Sequence, residues 1–412
     1  MERISELEKK YVLEVLKNGF RASRNHAFNA RLESRFADMF DVGYAIAMAN
    51  GTVTLHTALA ALGIGPGDEV IVPPLTMAST ALSVLQAGAV PVFADVDPDT
   101  FTIDPAAVAA VVTPKTRAVI SVGLYGLPPD YEGLHAICRL HKLFLVEDDA
   151  QCLFARSNGS LAGRQGDFAS FSFQASKHLT AGEGGLLITD DSELAAKARR
   201  FACLGYAVMQ AGKGEITKTQ IQDPRYARHA GFGFNYRMSD LCAAVILAQL
   251  ERADALVSRR QQAAQFFSDA LSGSSLFKPQ AIPEGRTNTY WTYAMAMQSE
   301  RPETDWYRFR DRFVDNGGHG FYAAWKLTYQ EPLFQHDIAR HPGVWQTYAK
   351  GLCPVAEYLQ PRMIQLKTNY WQTRAARRQA DILERTLMEF ESCIQRLSAT
   401  LGFKGFGRCF KI

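Results

Sequence analysis

Between Tyr44 and Asp190, short apolar runs rich in Val, Ile and Phe alternate with longer stretches of helical period. Runs that stay apolar on successive residues belong to strands buried on both faces. Joined through helices, they make a mostly parallel sheet with right-handed crossovers, an α/β architecture. The pattern predicts strands at 44–49, 69–73, 90–93, 117–122, 143–147, 168–172 and 185–189. Helices are predicted over Thr52–Leu62, Ala78–Ala87, Pro105–Val112 and Tyr131–His141, Pro105 being tolerated in a first turn, where its missing N–H has no partner to lose. Leu241, Val245, Ala248, Leu250 and Leu256 form an apolar stripe that predicts a long helix from Ser239 to about Asp269, leading out of this domain. The remainder mixes strand-like Tyr290–Met297 with helical Ala375–Leu397 and reads as a smaller α+β unit. We therefore expect a large domain over 1–255, with an N-terminal helical segment, and a small one over 256–412. Gln210–Arg228, polar and broken by Gly and Pro, reads as an excursion loop long enough to carry function.

Composition removes several classes of function. The net charge of +3 leaves no electrostatic footprint for a nucleic acid or a membrane surface. Seven scattered cysteines with no C-x-x-C pair offer neither a zinc site nor a redox motif, and no metal is expected. The N-terminus mixes acids with bases, and no apolar run approaches the roughly 18 residues of a membrane span, so a cytoplasmic setting is expected.

Three segments carry chemistry. The run Leu143-Phe144-Leu145-Val146 ends in Glu147-Asp148-Asp149, which places carboxylates at the carboxyl end of a parallel strand, where open α/β sheets bind ligands. On this segment alone, Asp148 as a cofactor contact and the acids as helix caps or a solvated turn are equally open. Ser172-Phe173-Gln174-Ala175-Ser176-Lys177-His178 leads into the turn Gly182-Glu183-Gly184-Gly185, holding a lysine between two strands. A desolvated lysine loses its charge readily, as a Schiff-base lysine must; the turn matches neither a P-loop nor G-x-G-x-x-G, and a solvated or phosphate-binding lysine stays open. At Asn50-Gly51-Thr52-Val53 a strand gives way to a helix, so the amides of Gly51, Thr52 and Val53 would face an anion, unless Thr52 serves as a simple cap. A phosphate cradle, a carboxylate and a lysine are the three contributions a protein makes to pyridoxal phosphate.

These segments resemble the DegT/DnrJ/EryC1/StrS-type sugar aminotransferases, within fold type I of the pyridoxal-phosphate enzymes. The resemblance extends through Leu62-Gly63-Ile64-Gly65-Pro66-Gly67-Asp68-Glu69, Gly88-Ala89-Val90-Pro91, Gly233-Phe234-Asn235-Tyr236-Arg237 and Cys353-Pro354-Val355-Ala356-Glu357, covering nearly the whole chain. It implies a seven-stranded sheet in the large domain and pyridoxal phosphate as cofactor, with pyridoxamine phosphate as its other form. It implies Lys177 as the catalytic Schiff-base residue, Asp148 on the pyridinium nitrogen and Gln151 beside the ring hydroxyl. Gly51, Thr52, Val53 and Ser172 would hold the phosphate, with Asn235 reaching in from a second subunit of a homodimer.

Two positions depart from the family pattern. Met77 stands where many relatives stack an aromatic residue on the ring, and a polarizable thioether can cover that face, with an ordinary core role also open. The segment Leu366-Lys367-Thr368-Asn369-Tyr370-Trp371 differs from the usual one, which points to a differently built acceptor pocket. The expected reaction moves an amino group from glutamate or glutamine to a keto or aldehyde carbon of a sugar in amino-sugar biosynthesis. The Gln174 position and the loop at Gln222-Asp223-Pro224 look most like enzymes acting on keto-sugar acids, such as 8-oxo-octulosonate, or on cyclitol ketones; nucleotide-linked 4-keto or 3-keto hexoses stay open. His178, Tyr322, Trp325 and Lys326 are candidate substrate contacts, as are Arg21, Arg24 and His26, with ordinary packing roles equally open. A sugar dehydratase of the same fold, which carries His in place of the lysine, and a non-catalytic cofactor-binding regulator are the alternatives.

Overall fold

A computed structural model describes residues 2–20, 28–211, 217–337 and 348–401, with side chains described to residue 392. The first sheet has the order β1-β9-β8-β5-β4-β2-β3, from strands β1 (Tyr44–Met48), β2 (Glu69–Val72), β3 (Val90–Phe93), β4 (Thr116–Val122), β5 (Phe144–Asp148), β8 (Phe168–Ser172) and β9 (Gly185–Thr189). All seven predicted strands fall in it. Only β9 runs opposite to its neighbours, antiparallel to both β1 and β8. Between β5 and β8 stands a small hairpin of β6 (Arg156–Ser157) and β7 (Ser160–Leu161).

The helices follow from side-chain spacing. In the N-terminal region, α1 (Glu6–Lys17) is opened by a capping box between Ser5 and Glu8. α2 (Phe28–Phe40) buries Phe28, Leu32, Phe36 and Phe40, one per turn, and Phe36 packs edge-on against Phe171 of β8 at 5.0 Å between ring centroids. The crossovers are α3 (Gly51–Ala61), α4 (Ser79–Gln86), α5 (Pro105–Val111) and α6 (Tyr131–His141); α7 (Ser192–Ala202) follows β9. The excursion loop contains α8 (Lys218–Gln222), where Thr217 and Gln220 form a capping box that a reading of polarity alone passes over.

The single long helix expected from Ser239 is two, α9 (Asp240–Leu250) and α10 (Ala253–Ala270). The chain bends at Glu251-Arg252, where the Arg252 guanidinium reaches back to the Glu8 carboxylate and, at 2.9 Å, to the Arg3 carbonyl. Local periodicity cannot register such a distant partner. Beyond the bend, β10 (Phe277–Pro279), β11 (Thr292–Met297), β12 (Tyr322–Ala323) and β13 (Met363–Lys367) make a second, antiparallel sheet in the order β10-β11-β13-β12. It packs with α10, α11 (Pro302–Asp315) and α13 (Thr373–Leu401) around Phe267, Met295, Phe309, Phe313 and Ile364, while α12 (Pro354–Leu359) adjoins the core of the first sheet through Ala356 and Leu359. Tyr290, expected to open β11, lies outside it at a φ of 48°, a left-handed conformation that a non-glycine residue holds only when its surroundings impose it. The Asn288 side chain accepts its amide at 2.6 Å, and the turn aims Trp291 at the lysine segment.

Candidate active site

The site forms where the carboxyl ends of β5 and β8 meet the N-termini of α3 and α4. The three successive acids at the end of β5 take different roles. Asp148 is buried and accepts from the Thr80 hydroxyl at 2.7 Å and more weakly from the Ala150 amide at 3.3 Å. Burial raises its pKa, and the Thr80 hydroxyl and the Lys177 amine oppose that rise. Glu147 has a structural task, accepting the amides of Gly163, Gln165 and Gly166 at 2.7 Å each. Asp149 is buried with neither carboxylate oxygen hydrogen-bonded; burial, Glu147 and Asp148 push its pKa well up, favouring a neutral carboxyl.

Lys177 follows β8 in a turn closed by its own amide to the Gln174 carbonyl at 2.9 Å. Its Nζ stands 4.5 Å from the centre of the Trp291 ring. Burial brings the amine down to about 8, with Arg260 adding to the effect and Asp148 opposing it. At such a value much of the amine is neutral near physiological pH, as a nucleophilic lysine requires.

At the start of α3, the Asn50 side-chain oxygen accepts the amides of Thr52 and Val53, both at 3.1 Å. Asn50 is therefore the cap, not Thr52, and two of the three amides expected to face an anion already have a partner. The Gly51 amide and the hydroxyls of Thr52 and Ser172 are the remaining donors. Close approach explains the glycine: a Cβ at Gly51 would lie 2.9 Å from Cβ of Ser172. Gln151 is buried, its oxygen accepting the Tyr125 amide at 3.0 Å. Met77 stands one turn before Thr80 and is 49% exposed. Asn235 is exposed, on a segment that bridges to Cys203 beside α7.

A cavity of about 410 Å³ adjoins the lysine segment, lined by Ser176, Trp291, Tyr322, Trp325, Lys367 and Asn369 among others. Trp291 and Trp325 stack at 5.8 Å between centroids, and Lys367 Nζ lies over the Tyr322 ring. Of the expected substrate contacts, Tyr322 and Trp325 line this cavity, while Lys326 is exposed outside its lining. His178 is a correction. It is 1% exposed and its Nε2 meets the Thr289 carbonyl at 3.1 Å, so it braces the fold instead of facing solvent. Arg21, Arg24 and His26 lie outside the described residues. Sequence reasoning missed Thr80, Trp291, Lys367 and Arg260 as members of this neighbourhood. Lys367 alone had a signal, in the atypical 366–371 segment. Among the described residues, no three His, Cys, Asp or Glu side chains group to hold a metal, and no helix is long and apolar enough to cross a membrane.

An amine of lowered pKa, a buried aspartate facing it and a hydroxyl-rich helix start fit a cofactor with an aldehyde, a basic ring nitrogen and a phosphate. With the sheet order above, they define a pyridoxal-phosphate enzyme of fold type I. Residues 2–379 match the DegT/DnrJ/EryC1/StrS aminotransferase family, and the chain belongs to it. It is thus a pyridoxal-phosphate-dependent aminotransferase. Its relatives include the GDP-perosamine synthase of Caulobacter vibrioides, 39% identical over 72% of this chain and 76% of that enzyme, and that of Escherichia coli O157:H7, 33% identical over 82% and 88%. Among solved structures it is similar to an aminotransferase from Psychrobacter cryohalolentis, with a TM-score of 0.81 and 28% identity over 95% of this chain and 98% of that one. It is also similar to 3-amino-5-hydroxybenzoic acid synthase, with a TM-score of 0.80 and 27% identity over 94% and 97%.

Proposed function

We propose that this aminotransferase moves an amino group from glutamate or glutamine to the keto carbon of a nucleotide-linked hexose, in amino-sugar biosynthesis. The observation that carries the reading is the cavity beside Lys177, whose tryptophan pair offers flat apolar faces to the C–H face of a sugar ring and whose Lys367 offers a cation to an anionic group. The names of the relatives, GDP-perosamine synthases, favour a nucleotide-linked acceptor over the keto-sugar acids and cyclitols that the sequence brought forward.

When bound, pyridoxal phosphate supplies the electron sink that stabilises negative charge at the donor Cα. Lys177 would hold the cofactor through its amine and, when that amine is free, would serve as the base that takes the donor Cα proton and the acid that delivers it to the former aldehyde carbon. Asp148 would keep the ring nitrogen protonated, and Gln151 and Met77 would hold the ring hydroxyl and one ring face. The Gly51 amide and the hydroxyls of Thr52 and Ser172 at the positive end of α3 would hold the phosphate, joined by Asn235 of a second copy. In support of that pairing, Asn235 lies among exposed or half-exposed aromatic residues, Phe232 at 78% exposure, Phe234 and Tyr236. The division into a cofactor-binding part, 1–255, and a smaller part, 256–412, belongs to the same proposal.

The visible spectrum of the loaded enzyme tests the reading. Glutamate or glutamine should replace the long-wavelength band with a shorter-wavelength one, and Lys177→Ala should abolish that change and turnover while the chain still binds the cofactor. A Lys177→Ala enzyme with near-normal turnover overturns the assignment, and a wild-type spectrum unmoved by any donor favours a dehydratase or a regulator. Turnover with keto-sugar acids but not with nucleotide-linked ketohexoses overturns the acceptor.

A further inference from the structure

We infer that Arg260 of α10, assisted by Arg3, is a positioning residue for Lys177, fixing the backbone of the lysine turn and seating a guanidinium on the carbonyl of the residue that carries the reactive amine. The inference rests on the reading of Lys177 as the cofactor-bearing lysine and adds a device that governs it.

Three successive carbonyls of the turn are held by cationic forks. Arg3 Nη1 donates to the Ala175 carbonyl at 2.8 Å and Arg3 Nη2 to the Lys177 carbonyl at 2.9 Å. Arg260 Nη2 donates to the Ser176 carbonyl at 3.1 Å and the Lys177 carbonyl at 2.9 Å. Its other terminal nitrogen reaches the Trp291 carbonyl at 2.8 Å and the Thr368 hydroxyl at 3.1 Å, and the Trp291 indole N–H closes the circuit on the Ser176 carbonyl at 3.0 Å. One guanidinium thus fixes both the turn that carries the amine and the residue whose ring lies under it.

Arg260 is 1% exposed, and among the described residues no carboxylate forms an ion pair with it; every partner it has is a carbonyl or a hydroxyl. Burying an uncompensated cation costs stability, so a fold that needed only hydrogen bonds here would be served better by a neutral donor. The charge has an electrostatic effect that a neutral donor lacks, because a like charge close to an amine disfavours its protonated form. The groups facing the amine are few. Asp148 at the end of β5 favours the charged amine, Arg260 on α10 opposes it, and the Trp291 ring lies alongside. His178 adds no further positive charge, since burial holds it well below its ordinary range. Arg3 is delivered by the N-terminal segment, which Arg252 fastens at the bend between α9 and α10.

Two measurements on the full chain test this, neither requiring that Lys177 bind the cofactor. In the first, the pH dependence of Lys177 acylation in the cofactor-free protein is followed by peptide mass mapping. The midpoint should lie near 8 in the wild type and rise in Arg260→Met, which removes the guanidinium. In the second, amide hydrogen exchange of the peptide spanning 174–182 should speed up about tenfold in Arg260→Lys and Arg3→Ala, which break the fork, with α4 unchanged. An Arg260→Met midpoint equal to that of the wild type overturns the electrostatic role. If Arg260→Met does not fold, unchanged exchange in Arg260→Lys and Arg3→Ala overturns the positioning role. Failure of the cofactor assignment reads out separately, as turnover retained by Lys177→Ala.

Discussion

At the scale of single residues, the site works by placing groups where their ordinary ionisation is disturbed. Lys177 falls from 10.5 to about 8 because its amine is desolvated with a guanidinium nearby. At pH 7.5 about a quarter of such an amine is neutral, against about a thousandth for an ordinary lysine. Cofactor capture by the cofactor-free protein should therefore accelerate with pH, with a midpoint near 8 and a plateau well before 10.5, measured by stopped-flow absorbance. The same shift acts on stability. The folded value lies below the unfolded one, so the unfolded chain binds more protons between about 8 and 10.5, and this group's penalty fades as pH rises through that window. Residue roles were legible unevenly. Lys177 and Asp148 stand next to strand ends that periodicity reveals. Trp291 and Arg260 arrive from more than 80 residues downstream, and their partners are backbone carbonyls that leave no trace in side-chain pattern.

At the scale of elements, the seven strands could be read because most of their residues are buried on both faces and so form short runs rich in apolar residues. The α9–α10 bend could not, since the stripe continues through it and the cause, Arg252 gripping the N-terminal segment, lies some 240 residues away in sequence. The reversal of β9 follows from the lysine turn, which sends the chain straight back along β8 with no helix to carry it across. Space is tight where β9 begins: a Cβ on Gly185 would lie 2.5 Å from the Asn50 carbonyl carbon and oxygen. Gly185→Ala should therefore push the start of β9 away from the α3 cap. We expect a loss of about 1–3 kcal/mol in urea unfolding, together with weaker cofactor retention.

For the whole molecule, the proposed second copy makes a distinctive demand. If Asn235 completes the neighbouring copy's site, each defect in a mixed pair falls on a predictable half. Lys177→Ala and Asn235→Ala chains, each weakly active or inactive alone, should regain activity when unfolded and refolded together. One of the two sites in a mixed dimer then holds both an intact lysine and an intact asparagine. Sedimentation should show dimers in all three preparations, and failure of the mixture to exceed its parents would place Asn235 outside the partner's site. The sequence indicated this assignment only through resemblance, because an exposed asparagine on a loop carries no physical signal of its own.

The contact between Lys177 and Trp291 also furnishes the enzyme with an optical gauge. An indole 4.5 Å from the reactive amine sits within energy-transfer range of any chromophore carried there, and near-ultraviolet absorption by that chromophore overlaps tryptophan emission. Loading should quench the intrinsic fluorescence, and each half-reaction should change the depth of quenching as the bound chromophore changes colour. Trp291→Phe should remove part of that signal, the stacked Trp325 supplying another part. Turnover could then be followed in the native protein, without a label, from the light of its own tryptophans.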